Sequence, residues 1–183
     1  KPFKSDRLLL TIGRALETAR LRRENQDLRA RAGTNLDLIG KSQAIAQLRQ
    51  AIERAAPTGS RVLFSGPPGS GKEVAARVLH RRSRRADNPF VVVTCPTMHP
   101  DRLELELFGV DHSGDGRDGI VRTGFLEQAH SGTLLLDEVA DMPLETQGKI
   151  VRVLQEQTFE RVGGKTRVEV DVRVIASTSR DLQ

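Results

Sequence analysis

The chain has no tryptophan and no tyrosine, and its only aromatic side chains other than histidine are six phenylalanines in 183 residues. Surfaces that stack unpaired bases rely on aromatic faces, so this composition argues against a single-stranded nucleic-acid platform. One cysteine, Cys95, cannot close an internal disulfide, and no Cys/His cluster has the spacing of a zinc site. The expected compartment is therefore a reducing cytoplasm. Long apolar runs are also missing: Leu8–Leu10, Phe90–Val93 and Leu134–Leu136 fall far short of the roughly 18 residues that span a bilayer. Neither a transmembrane segment nor a signal peptide is read, and no membrane partner is expected. Charge of one sign is scarce outside the first stretch. Residues 1–35 hold nine Lys/Arg against four acids, which accounts for the whole net charge of +5. The rest of the chain is balanced and has no general electrostatic reason to bind nucleic acid.

What is present reads as one α/β domain with an appended helix. Leu9, Ile12, Leu16 and Ala19 recur at helical steps, and neither Gly nor Pro interrupts Arg14 to Ala32 before Gly33 stops the run. Leu21, Asn25 and Leu28 have the seam spacing of a short coiled coil; a charged linker helix facing solvent fits the same residues. Ser42 is placed to cap a second helix with an apolar stripe of Ile45, Leu48, Ile52 and Ala55, ended by the turn residues 57–60. A strand at 61–65, a Gly-rich stretch and a helix carrying Val74, Val78 and Leu79 inward follow. Arg81, Arg82, Arg84 and Arg85 are expected near that helix's C-terminus as a solvated end, with a DNA patch as the alternative. Further buried strands are predicted at 90–94 and 133–137, with a helix at 144–156 entered through Pro143 and turning Ile150, Val151 and Leu154 inward. A hairpin turning at Gly163-Gly164 comes next, and the alternating Val168, Val170, Val172 and Val174 run on through Ile175 into the core. Strands alternating with helices imply a parallel sheet.

Gly66-Pro67-Pro68-Gly69-Ser70-Gly71-Lys72 has the P-loop spacing of Gly, four residues, Gly and Lys between a strand and a helix. Glycines let successive backbone N–H groups curl toward phosphate oxygens, the following helix adds its positive N-terminus, and Lys72 supplies a point charge. A plain Gly-rich turn is the simpler alternative, and its position between strand and helix weighs against it. Glu73 stands where most P-loops carry a Ser or Thr for Mg²⁺. Asp137 and Glu138 end a buried strand, where open α/β sheets place ligands. Asp137 is the expected Mg²⁺ ligand, and Glu138 the group that polarises an attacking water on ATP.

Over Leu36 to Leu182 the chain resembles the AAA+ module of the bacterial enhancer-binding activators, the NtrC family of two-component response regulators. The resemblance is carried in order by Leu38-Ile39-Gly40, Gly66 to Glu73, Glu106-Leu107-Phe108-Gly109, Gly124 to Ala129, Gly132 to Glu138, Gln155-Glu156 and Arg161-Val162-Gly163-Gly164. It implies a P-loop NTPase fold, a parallel sheet with flanking helices, in residues 34–183. Residues 1–33 are then the end of a receiver domain, marked by Lys1-Pro2-Phe3, and a linker helix. It also implies ATP or ADP with Mg²⁺ as cofactors, with Leu38, Ile39 and Gly40 on the adenine side. Glu73 after the lysine is usual for the relatives. The family's Asn that restrains the catalytic Glu aligns with Thr94, and its sensor Asn aligns with Ser179.

The family's Gly-Ala-Phe-Thr-Gly-Ala loop, which touches the sigma-fifty-four polymerase, is Ser113-Gly114-Asp115-Gly116-Arg117-Asp118 here, the pattern of the NtrX-type branch. The expected function is a nucleotide-binding core controlling oligomer assembly, without that polymerase contact. A sigma-fifty-four-activating ring ATPase and a non-hydrolysing binding module stay open as alternatives. Self-association is expected through the linker helix as a dimer and through the core as a higher oligomer. A sensor histidine kinase and DNA are expected as partners of regions outside these residues. The family's arginine fingers, helical lid and DNA-binding helix-turn-helix fall beyond Gln183 in the resemblance, so negligible turnover is expected of these residues alone.

Overall fold

The structure, a computed structural model, describes residues 37–97, 99–112 and 121–181. The chain divides between Leu36 and Asp37, and all described elements belong to the second unit. The expected helix at 14–32, its coiled-coil seam, the receiver-like start and the loop 113–118 lie outside the described residues.

Helix α1 spans Gln43–Ala55, strand β1 Val62–Ser65 and helix α2 Lys72–Arg81. Strand β2 spans Phe90–Thr94, helix α3 Pro100–Phe108, and the short strands β3 and β4 Val110–Asp111 and Val121–Arg122. One turn of helix, α4, covers Phe125–Gln128; β5 is Thr133–Asp137 and α5 Leu144–Glu156. Strands β6, Thr158–Glu160, and β7, Arg167–Glu169, form the expected hairpin, and β8 is Arg173–Thr178.

Four strands make a parallel sheet in the order β1-β8-β5-β2. Successive side chains of a strand point to opposite faces, so the run Leu134-Leu135-Leu136 feeds two cores. Leu135 joins Ile175, Ile52, Ala76 and Leu79 under α1 and α2. Leu134 and Leu136 join Val93, Leu103, Leu107, Ile150 and Val153 under α3 and α5. Both faces are therefore apolar, as a parallel sheet covered on two sides requires. Ser42 caps α1 as expected, accepting from the Ile45 amide at 3.4 Å. Arg173, 3% exposed, stitches the far end of α1 to the sheet by donating to the carbonyls of Ala55, Ala56 and Ser60 at 2.8, 2.8 and 3.1 Å.

Two expectations are corrected. The alternating valines do not form one strand: Val168 belongs to β7, Val174 to β8, and the chain breaks between them, where the Asp171 carbonyl accepts from Ser131 N at 2.8 Å. Val151 is 53% exposed, and Val153, one step from the expected Leu154, is the buried neighbour of Ile150 on α5. As expected, the arginines stand at the end of α2: Arg81 is in its last turn, Arg82 is its C-cap, and Arg84 and Arg85 follow just beyond. Arg82 pairs with Glu53 at 2.8 Å, and Arg85 pairs with Asp171 at 2.6 Å while donating to the Gly132 carbonyl. These partners leave the cluster poorly suited to a DNA patch.

The junction of α3 with α4 has no space for side chains. A Cβ on Gly124 would stand 2.3 Å from the Leu107 carbonyl oxygen and 2.5 Å from Gly109 N, both backbone atoms that cannot turn aside. Gly124→Ala should therefore lower stability by about 3 kcal/mol, at the upper end for overpacking, read by urea denaturation. A loss below about 1 kcal/mol would mean that the junction relaxes freely.

Candidate functional site

Because β8 lies between β1 and β5, the segments leaving the C-terminal ends of these three strands emerge side by side. The first is the P-loop. Its start continues the β1–β8 pairing, since Gly66 N donates to the Thr178 carbonyl at 3.2 Å. Gly69 and Gly71 have φ of +76° and +85°, left-handed values that a Cβ disfavours, and Gly71 is the N-cap of α2. Between them Ser70 N closes a turn onto the Pro67 carbonyl at 3.2 Å. The first turn of α2 then presents backbone N–H groups that have no acceptor within the helix.

Lys72 opens α2, and its side chain is only 9% exposed. Nζ donates to the carbonyls of Gly66 and Pro67 at 3.0 and 3.2 Å and lies 3.1 Å from Glu138 Oε1. The P-loop and the acidic strand end are thus joined by an ion pair. Glu73 points elsewhere, held by Arg77 one turn along the same helix at 2.7 Å.

The acids follow β5. Glu138 sits in the left-handed region at φ +54°, and its other oxygen, Oε2, accepts from Ser179 N at 2.6 Å and Ser179 Oγ at 2.8 Å. Partial burial works against ionisation of this carboxyl, but the Ser179 hydroxyl and amide and the Lys72 ammonium together outweigh it and hold its pKa below the ordinary value. The adjacent Asp137 accepts from Ser177 Oγ, which in turn accepts from Glu138 N at 3.1 Å. Arg180 pairs with Asp141 in the turn beyond. The negative charge is felt behind the site as well. Burial, followed by the charges of Asp137, Asp141 and Glu138, pushes the Cys95 thiol up to about 12.

The structure therefore brings Gly66–Lys72, Asp137, Glu138 and Ser179 together. Thr94 ends β2 in register with Asp137, but the glutamate's carboxylate is held by Ser179 and Lys72. Leu38 packs on the α1–α2 core, Ile39 is 91% exposed, and the carbonyls of Leu38 and Gly40 accept from Arg49 of α1. Sequence reasoning missed Ser177, although a hydroxyl directly after the apolar stretch 174–176 was the available signal. Among the described residues no three His, Cys, Asp or Glu side chains cluster as a metal site, and no helix is long and apolar enough to cross a membrane.

A strand, a glycine-rich turn with a lysine at the helix start, and a carboxylate pair at the end of a nearby strand of the same parallel sheet define a P-loop NTPase domain. More closely, the chain belongs to the Sigma-54 interaction domain family, whose profile matches residues 38–183. It is 52% identical over 183 residues to the nitrogen assimilation regulatory protein NtrX of Azorhizobium caulinodans, covering all of this chain and 39% of that protein. NtrX of Brucella abortus, solved in complex with ADP, aligns with a TM-score of 0.76 at 56% identity over the whole chain and 40% of that structure. The same protein solved with ATP gives 0.75 at 55% identity, again over the whole chain and 40% of that structure. The chain thus spans about two fifths of the length of these relatives.

A depressed carboxylate pKa in the folded chain stabilises it above the unfolded value, about 4.3 for Glu, and that gain is lost as pH falls through the lower folded value. Glu138→Gln should therefore flatten the acid limb of the stability–pH curve below about pH 5, measured by urea melts at stepped pH. A limb unchanged by the substitution would show that the Lys72 and Ser179 contacts do not hold the ionised form.

Proposed function

We propose that residues 34–183 are the ATP- and ADP-binding core of a two-component transcription regulator, and that the bound nucleotide controls assembly into oligomers. The observation that carries this reading is the convergence of Lys72 and Glu138 over the P-loop. A nucleotide's outer phosphates, with more negative charge than one carboxylate, would draw Lys72 from Glu138 and so change the charge balance at the sheet edge. The ADP and ATP complexes of the Brucella relative support the same choice of ligand.

Mg²⁺ fits the donor set as a companion of the nucleotide. This ion is commonly held by one or two carboxylates together with substrate phosphates and waters, and Asp137 offers one carboxylate beside the P-loop. Asp137 would hold the ion directly or through water. Leu38, Ile39 and Gly40 would flank the adenine, Thr94 would border the phosphates, and Ser179 would fix Glu138. Residues 1–33 would be the end of a receiver domain and a dimerising linker helix. A sensor histidine kinase and DNA would meet other regions of such a regulator in the cytoplasm.

A second reading, turnover of ATP by the assembled longer protein, is favoured by one observation: Glu138 is kept ionised at the site and could accept a proton from water. In this reading Asp137 and Glu138 supply metal and base, and a cation from a neighbouring subunit supplies the rest.

Lys72→Ala should weaken ADP binding by about 2 to 5 kcal/mol, or about thirtyfold to a few thousandfold in Kd, in a calorimetric titration. Equal affinities would remove the P-loop assignment. The sigma-fifty-four polymerase should not be a partner, because Asp115 and Gly116 stand in place of the family's Phe-Thr tip and offer no apolar anchor. Open-complex formation by the purified full-length regulator at an enhancer-dependent promoter would contradict this.

A further inference from the structure

Strand β8 and the residue just past its end send two hydroxyls to the acidic turn. Ser177 and Ser179 are two residues apart along the chain, and while Ser179 holds the Glu138 carboxylate, Ser177 holds the turn itself. Ser177 is completely buried, with the apolar Val174, Ile175 and Ala176 before it. A buried hydroxyl is costly unless its hydrogen bonds are made, and here both are. Its proton goes to Asp137 Oδ1, and a lone pair receives the amide of Glu138 at 3.1 Å. The residue so held has φ +54° and ψ +56°, a conformation that a side chain with a Cβ leaves unless its surroundings fix it.

We infer that Ser177 is a positioning residue for the metal-binding carboxylate. By occupying Oδ1 it leaves Oδ2 of Asp137 for the Mg²⁺ that accompanies the nucleotide. By accepting from Glu138 N it keeps the left-handed turn that delivers Glu138 to Lys72 and Ser179. One side chain thereby sets the relative orientation of both acids. The inference rests on the Mg²⁺–nucleotide reading above, and its test separates the two.

Amide hydrogen exchange on the nucleotide-free chain reads the turn, and titration with a fluorescent ADP analogue, with and without Mg²⁺, reads the metal. In Ser177→Ala the Glu138 amide should exchange about tenfold faster, while the amides of Leu135 and Ile175 keep their protection and report an intact sheet. In the same variant the ratio of ADP affinities with and without Mg²⁺ should fall by about three- to tenfold. If alanine opens the sheet, Ser177→Cys, which keeps a side chain there but donates weakly, should give smaller changes in the same direction. Equal weakening with and without Mg²⁺, or an unchanged Mg²⁺ effect, overturns the metal role. Unchanged exchange at Glu138 overturns the clamp. A wild-type chain that binds no ADP sinks the nucleotide reading and the metal role together, and the exchange result then stands or falls alone.

Discussion

The position of β8 between β1 and β5 is the constraint on which the rest of the site depends. Parallel strands end at the same edge, so this order sets the P-loop, the acidic turn and the Ser177–Ser179 segment next to one another. No local motif brings Lys72 within 3.1 Å of Glu138, sixty-six residues further along the chain; the sheet order does. The register is in turn fixed by apolar side chains that alternate between two cores, and slipping a strand by one residue would exchange its faces.

The charge arrangement at that edge is poised rather than saturated. Lys72 is nearly buried and is balanced by one carboxylate and two carbonyls, all of them groups that a phosphate can replace. Glu138 has two further bonds, to the amide and hydroxyl of Ser179, so losing Lys72 would not cast it loose. Any signal passed by a nucleotide in the proposed function would therefore reach β8 and the pair formed by Arg180 with Asp141 beside it.

Much of this was legible in the sequence, for physical reasons that differ from element to element. The bounds of β2, β5 and α5 followed from apolar runs closed by polar or proline residues, and the P-loop followed from glycines that only its turns require. The valine run at 168–174 misled because alternation tells which side chains face inward but not which sheet they face. The break near Asp171 depends on Ser131, forty residues earlier. Val151 and Val153 are both apolar, and only the tertiary docking of α5 decides which of them is buried. At the site, acids and glycines announce themselves by type, whereas the partner of Glu138 could not be read from composition. A resemblance pointed to the Thr94 position as its restraint, and the geometry gives that contact to Ser179. Ser177 carried no signal beyond a hydroxyl after an apolar stretch.

In the proposed function one ammonium is shared between a carboxylate and a nucleotide. Crystal structures of this chain grown without nucleotide and with ADP and Mg²⁺ test it most directly, through the position of Lys72 Nζ. With no nucleotide bound, Nζ should lie about as close to Glu138 Oε1 as the 3.1 Å seen here. With ADP it should move onto the phosphates while Glu138 stays on Ser179. Phosphate density away from Gly66–Lys72, or a Lys72–Glu138 pair left intact with ADP in place, would contradict it.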